Sequence, residues 1–319
     1  MSRPWSGMNA TVSWRPMRPE TPPLSLGSSE ETFSLGSLLE WGRIRLEPLG
    51  EDEARASAEA LLSEITGYPR SVLYMNREEA VSPSGQQAYE TGIVKRLERW
   101  PLAYITGKAY FWEECLSVTP DCLVPRPETE TLIESLIRDS GYGPEDRFRL
   151  LDLGSGSGAI GIALLRHFRR AEALFSDISS AALEVTGRNL ESHGLMDRAR
   201  MRQTDLFEGF RGLCFDVIVS NPPYFSSSDW ETLAPEIFRE PRTALDGGAD
   251  GLEFYRRIAA GASDLLSPGG LIAVEMGHRQ SGDVRQIFEA QGFQKSRTYK
   301  DLLGIERVLI VRNRMSKSV

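Results

Sequence analysis

The sequence predicts an α/β fold: a mostly parallel sheet with an antiparallel C-terminal strand, preceded by a small helical domain and joined to it by a β-hairpin. Three observations predict it. Apolar residues recur at helical spacing in the first third of the chain, and from Arg147 onward β-rich runs alternate with helical ones. Phe293–Tyr299 and Arg307–Val311 then follow each other too closely for a crossover helix, so they should pair antiparallel.

Residues 1–32 carry Pro4, Pro16, Pro19, Pro22 and Pro23 among Ser, Thr and Gly, and are expected to form a disordered tail. Arg3, Arg15 and Arg18 precede the first acid, Glu20, a faint likeness to a transit peptide; the apolar core of a secretory signal is missing. A mis-started N-terminus, with Met8 or Met17 as the true start, is the blander expectation. Residues 33–108 should form the helical domain. Leu35, Leu38, Leu39, Gly42 and Leu46 keep helical spacing, as do Ala54, Ala58, Leu61, Leu62 and Ile65. The second of these helices opens on Glu51–Glu53, favourable at a positive dipole end, and stops at Gly67; a third segment, Ile93–Trp100, halts at Pro101. Residues 109–138 read as a hairpin linker, turning at Thr119-Pro120-Asp121, followed by a connecting helix. Residues 139–319 hold the layered sheet: strands at Arg147–Leu153, Ala171–Ser176, Phe215–Ser220 and Leu271–Val274, with helices at Ala159–His167, Ser179–His193 and Leu252–Leu266.

Composition narrows the class. Lys and Arg number 37 against 45 Asp and Glu, a net charge of −8, which disfavours broad electrostatic binding to nucleic acid. No run approaches the ~18 apolar residues of a membrane span. Three scattered cysteines and three histidines, without CxxC or HExxH spacing, predict neither disulfides nor a metal site. A cytoplasmic protein is expected.

Two motifs carry chemistry. The first strand runs into Asp152-Leu153-Gly154-Ser155-Gly156-Ser157-Gly158-Ala159, a glycine loop opening a helix, where the backbone turns sharply and a ligand can approach it. The same residues satisfy a dinucleotide fingerprint, so the loop by itself leaves NAD open. Asp177, ending the second strand, is placed to accept the ribose hydroxyls of an adenosine; capping the next helix is the structural alternative, which Ser179 could fill. Asp152, just before the glycines, would suit an ammonium and repel a pyrophosphate. S-adenosylmethionine has the amino group and the ribose without phosphate.

The second motif, Asn221-Pro222-Pro223-Tyr224, ends the strand Phe215–Ser220, where open α/β sheets bind ligands. The Asn221 oxygen and the Pro222 carbonyl can accept both hydrogens of one planar NH₂ group, and the prolines fix the backbone in advance. Tyr224 offers a flat face. Held this way, an amide nitrogen directs its lone pair at an electrophilic methyl without a strong general base.

Together these residues resemble the S-adenosylmethionine-dependent methyltransferases of Rossmann-like fold that act on planar amino groups, and within them the HemK/PrmC family of peptide-chain release factor glutamine methyltransferases. The resemblance runs from about Leu38 to Val311. Beyond the two motifs it rests on Pro101–Gly107, Leu123–Glu130 (with Arg126-Pro127-Glu128-Thr129-Glu130 intact) and Glu240–Gly251. It implies that Asp152, Gly154, Ser155, Gly156, Ser157, Gly158, Asp177, Leu206 and Asn221 bind S-adenosylmethionine, Leu206 lying against the adenine. It implies that Asn221, Pro222, Pro223 and Tyr224 bind the substrate amide, with Asn221 and Pro222 catalytic. The implied substrate is the glutamine of the Gly-Gly-Gln loop of release factors, docked with help from the helical domain; the expected protein is a monomer with no direct nucleic-acid contact. Paralogues that methylate a ribosomal-protein glutamine diverge from the Arg126–Glu130 pattern. An adenine amine in nucleic acid is the chemical alternative, a non-catalytic binding module a further one, and a nicotinamide oxidoreductase a distant last.

Overall fold

The computed structural model describes residues 33–314, and the expectations for residues 1–32 lie outside them. The described chain falls into two compact units dividing between Glu98 and Arg99. Among the described residues no helix is long and apolar enough to cross a membrane.

The first unit is helical: α1 (Leu35–Leu46), α2 (Glu51–Thr66), α3 (Arg70–Met75) and α4 (Pro83–Leu97). The Ser34 hydroxyl accepts the Ser37 N–H and caps α1; Ser82 does the same for α4 through Gly85, with Pro83 at the first turn. Gly67, at φ 73°, ends α2 in the left-handed conformation that glycine tolerates. Leu38, Leu46, Leu62 and Ile93 are fully buried between the helices. Tyr89 fits against Gly42, where a Cβ would lie 2.1 Å from its hydroxyl. The apolar spacing located α1, and the Glu51 opening with the Gly67 stop bracketed α2. It missed α3 and began α4 ten residues late, because that helix opens on Pro83-Ser84-Gly85 with little apolar periodicity.

The second unit begins with α5 (Leu102–Thr106) and a hairpin of β1 (Lys108–Phe111) and β2 (Glu114–Ser117). The hairpin turns at Trp112-Glu113, with Trp112 at φ 56°; the expected turn at Thr119–Asp121 forms too, closed by Cys122 N–H to Thr119 C=O at 3.2 Å, but it follows β2 and does not join the two strands. After the Thr119–Asp121 turn, side chains take the place of a ladder: Cys122 C=O accepts the Tyr104 hydroxyl, and Val124 N–H donates to Glu240. Then follow α6 (Glu130–Asp139), β3 (Arg149–Leu153), α7 (Ala159–His167), β4 (Glu172–Asp177), α8 (Ser180–Ser192), β5 (Ala199–Gln203), β6 (Phe215–Ser220), α9 (Glu253–Ala262), β7 (Leu266–Glu275), α10 (Ser281–Ala290), β8 (Gln294–Lys300) and β9 (Glu306–Arg312).

The sheet order is β5-β4-β3-β6-β7-β9-β8; every pairing is parallel except those of β9, which runs against both neighbours. One face packs under α6, α7 and α8 through Leu132, Ile133, Ile162, Leu165 and Leu190. The other packs under α9 and α10 through Tyr255, Ile258, Val284 and Phe288. This is the predicted layered α/β sheet. The expected helix Leu252–Leu266 stops at Ala262, and β7 runs straight through Pro268-Gly269-Gly270. A register irregularity opposite Phe215 and Val217 absorbs the proline that cannot donate to a ladder. Edge strand β5 escaped prediction because four of its five residues are exposed, so no apolar run marks it.

The order reverses at β3, whose neighbours are β4 on one side and β6 on the other. A crevice outside the strand ends is expected at such a point.

Candidate active site

The glycine loop and the Asn221 loop leave adjacent parallel strands, with Asp152 opposite Val219 in the register. Ser220 Oγ donates to Leu153 C=O at 2.7 Å and ties the two strand ends together. Both loops open on one cavity of about 550 Å³, within the usual range of small-molecule sites. Gly154, Ser155, Gly156, Ser157, Asp177, Leu206, Asn221, Pro222 and Pro223 all line it.

Gly154 and Gly156 have φ of 73° and 56°, and a Cβ on either would meet no protein atom within 4 Å. At these two positions a side chain would stand in the left-handed region and fill the cavity itself. Their N–H groups are organised from the next strand: Gly154 and Ser155 donate to Ser176 C=O, and Gly156 donates to Asp177 Oδ2 at 2.9 Å. Burial raises the Asp177 pKa, while the N–H groups of Ser179, Gly156 and Ile178 act to lower it. Capping of α8 falls to Ser179, whose hydroxyl accepts Ala182 N–H. Asp177 is therefore free of that role, and its remaining lone pairs can serve the cavity.

Thr204 N–H donates to Asp177 C=O and sets Leu206 on the cavity wall, in the left-handed region at φ 47°. Two arginines line the cavity, and both are neutralised: Arg257 by Asp205 at 2.7 Å and Arg242 by Asp246 at 3.0 Å. With Asp177 also present, the cavity is a poor host for a pyrophosphate and a good one for hydroxyl and ammonium groups.

Three expected residues lie elsewhere. Asp152 does not line the cavity. Strand alternation turns it under α7, where it is 1% exposed and Oδ2 accepts Gly161 N–H at 2.8 Å. Burial, opposed by that hydrogen bond, pushes its pKa up to about 7. Direct contact with a ligand ammonium is thus replaced by support of the loop from behind. Gly158 also leaves the lining: at φ 82° it caps α7 and donates to Ser155 C=O at 2.7 Å. Tyr224 lines a second, small cavity of about 50 Å³ with Leu123, Arg126, Phe225, Ile237, Ala244 and Leu245. Asn221 borders both cavities.

The motifs left without chemistry in the sequence build this frame. Glu240, its side chain 1% exposed, pairs with Arg126 and accepts Val124 N–H, clamping the Leu123–Glu130 segment. Pro241–Ala244 line the large cavity. Gly247 and Gly251 lie so close to Tyr224 that a Cβ would fall 2.7 Å and 2.5 Å from its backbone. Gln280 Nε2 donates to the carbonyls of Tyr224 and Gly251 at 3.0 and 3.2 Å. The buried Asn189 joins hairpin to loop, exchanging hydrogen bonds with Ser117 and donating to Ser157 C=O. Among the described residues no group of three His, Cys, Asp or Glu could hold a metal.

Comparison with known proteins places this geometry. Residues 37–107 match the PrmC N-terminal domain and residues 128–252 the methyltransferase small domain. Release factor glutamine methyltransferase of Geobacter sulfurreducens is 38% identical over 280 residues, covering 88% of this chain and 96% of that protein. The same-named protein of Rhodospirillum rubrum is 40% identical over 289 residues, covering 90% and 87%. The solved hMettl16 catalytic domain in complex with MAT2A 3'UTR hairpin 6 shares the fold at 16% identity and a TM-score of 0.51, covering 64% of this chain and 76% of that one. By sequence over nearly its whole length, the chain belongs to the release factor glutamine methyltransferase family.

Proposed function

We propose that this protein transfers a methyl group from S-adenosylmethionine to the side-chain amide nitrogen of the glutamine in the Gly-Gly-Gln loop of peptide-chain release factors. One observation carries the reading: Asn221, with Leu123 and Ala244, borders both a cavity bearing the glycine loop with Asp177 and a smaller cavity bearing Tyr224. The large cavity takes the cofactor and the small one, roomy enough for one or two waters at about 30 Å³ each, takes the end of a side chain.

The residues present fit that cofactor. Gly154 and Gly156 leave open space where a Cβ would intrude, and Asp177 presents a carboxylate toward ribose hydroxyls. Leu206 gives the adenine an apolar wall. When bound, the cofactor supplies a sulfonium-activated methyl group. Asn221 Oδ1 and the Pro222 carbonyl accept the two substrate N–H bonds, twisting the nitrogen lone pair out of amide resonance and toward the large cavity. Pro222 and Pro223 hold those acceptors before the substrate arrives, so little ordering remains for the reaction step. The proton released on N-methylation passes to solvent, and no strong base is needed beside Asn221. Asp152 positions the loop through Gly161 and touches neither reactant.

We further propose that the helical domain, residues 33–108, docks the protein partner, while residues 109–138 link it to the methyltransferase domain, residues 139–319. The protein would act in the cytoplasm, as a monomer and without binding nucleic acid.

Methyl-labelled S-adenosylmethionine is offered with a purified release factor, the same factor with its Gly-Gly-Gln glutamine replaced, a ribosomal-protein substrate, or duplex DNA. Label on the intact factor and its loss with the glutamine are expected. Label on the DNA or the ribosomal protein in its place overturns the assignment.

A further inference from the structure

Gln280 stands in the turn between β7 and α10, half-buried and outside the motifs that carry the chemistry. Its backbone opens α10: the carbonyl accepts Val284 N–H at 2.9 Å, and Val284 and Phe288, both fully buried, root that helix in the core. Its side chain reaches the Asn221 loop. Nε2 donates to Tyr224 C=O at 3.0 Å and to Gly251 C=O at 3.2 Å, while Oε1 accepts Gly277 N–H at 2.9 Å. The partners are backbone groups, which are fixed as donors or acceptors, so the carboxamide has one orientation. Two glycines make room for it. A Cβ on Gly277 would fall 2.6 Å from Oε1, and one on Gly251 2.7 Å from Nε2. Arg279, just before, holds φ 68°, in the left-handed region that residues other than glycine rarely adopt. Such strain persists where neighbouring contacts over-determine the backbone, and it collects at functional sites.

We propose that Gln280 is a positioning residue for methyl transfer: it fastens the Asn221–Tyr224 loop to α10 and so holds the Asn221 and Pro222 acceptors at the border of the cofactor cavity. The inference rests on the function proposed above. Gln280 lines neither cavity, so it touches neither reactant and acts through the loop. Pro222 and Pro223 fix φ in the middle of the loop, which makes it stiff. A stiff loop passes a displacement of the Tyr224 carbonyl back to the Pro222 oxygen instead of absorbing it. The strand before the loop is tied at Ser220, and the chain after it at Phe225, whose N–H donates to Leu245 C=O. Between these ties, Gln280 holds the Tyr224 carbonyl. An anchor on a packed helix fixes a reacting group more closely than a free loop does, and a misplacement of about 1 Å costs on the order of 100-fold in rate.

The test compares wild type, Gln280→Glu and Gln280→Met in single-turnover methylation of a purified release factor at saturating cofactor, with the release-factor concentration varied. Calorimetry follows cofactor affinity and thermal melting follows folding. The glutamate keeps an acceptor for Gly277 N–H but sets its second oxygen against two carbonyls; the methionine matches the length and removes every hydrogen bond. The maximal rate should fall by about 30-fold or more in Gln280→Glu and by about tenfold in Gln280→Met. The half-saturating release-factor concentration and the cofactor affinity should both stay within about threefold. Unchanged maximal rates in both folded variants overturn the inference: a residue that only stabilised the fold would lower the melting temperature and leave the folded protein's rate intact. A loss of rate matched by an equal loss of cofactor affinity, or a change confined to half-saturation, overturns it too. Should Gln280→Glu fail to fold, Gln280→Met decides. An inactive wild type would sink the proposed function and this inference with it, whereas an active wild type with unaffected variants sinks the inference alone.

Discussion

Asp177 and Gly156 are joined side chain to backbone: Oδ2 accepts the Gly156 N–H at 2.9 Å, while Oδ1 accepts the Ser179 N–H at 2.9 Å. One carboxylate at the end of β4 therefore fixes the loop that follows β3 and the entry to α8. Its half-buried position makes the loss of either hydrogen bond costly.

Asp177→Ala should weaken binding of S-adenosylhomocysteine by about 30-fold or more, since hydrogen bonds to a charged group are worth about 1.5–3 kcal/mol. Asn221→Ala should leave that affinity within about tenfold and slow methyl transfer at least ~100-fold. Calorimetry and single-turnover transfer, run on both variants, separate the roles. Equal effects of the two substitutions on both measurements would contradict the division.

Gly247→Ala tests whether the Glu240–Gly251 stretch holds the Asn221 loop. A methyl group there would lie 2.7 Å from Tyr224 Cα and 2.9 Å from the Pro223 oxygen, so the loop must shift. Transfer should fall by about tenfold or more while cofactor affinity changes less than about threefold, given that small displacements of a reacting group cost up to ~100-fold. Unchanged transfer rates would show that the loop tolerates the displacement.

Asp152 makes folding stability depend on pH. Burial pushes its pKa up to about 7, so the native state holds this proton more tightly than the unfolded chain, where an aspartate titrates near about 3.9. Its contribution is fully present below the unfolded pKa and is lost as pH rises through about 7. An asparagine at this position would keep an acceptor for Gly161 N–H and could not ionise. In urea titrations, Asp152→Asn should shrink the stability lost between about pH 5 and pH 8 by on the order of 2 kcal/mol. An unchanged pH slope would remove the buried-proton account.

Glu275 predicts an acid limb in the rate profile. Burial is the main cause that pushes its pKa up to about 7; Glu128 pushes the same way, while Thr129, Arg307 and Tyr224 oppose it. The Tyr255 hydroxyl is occupied by the Glu275 carbonyl at 2.9 Å. Protonation weakens Glu275 as the acceptor of the Tyr224 hydroxyl, which lies at 3.5 Å from Oε1 and belongs to the Asn221 loop, so single-turnover transfer at saturating cofactor should fall as pH drops below about 7. Glu275→Gln should be slow and should lack that limb. The same limb in the variant would assign it to another group.

The chain's local patterns determined α7 and β6 to the residue, marked α1 and α2 by their apolar spacing, and held both chemical motifs. Helical spacing, a run of buried β-branched residues, and Gly or Asn-Pro-Pro at a strand's end act over a few residues and are visible without a fold. Only the tertiary structure decided the rest. The hairpin closes at Trp112-Glu113, and the chain beyond the Thr119-Pro120-Asp121 turn adds no strand to it, because Tyr104 and Glu240, distant in sequence, satisfy the backbone at Cys122 and Val124. Asp152 faces away from the cavity because alternation along β3 and the packing of α7 against it fix its direction. Thr129 belongs to the Arg126–Glu130 pattern, yet no spacing along the chain puts it 3.3 Å from Asn221; it gets there because α6 begins beside the end of β6, a non-local relationship.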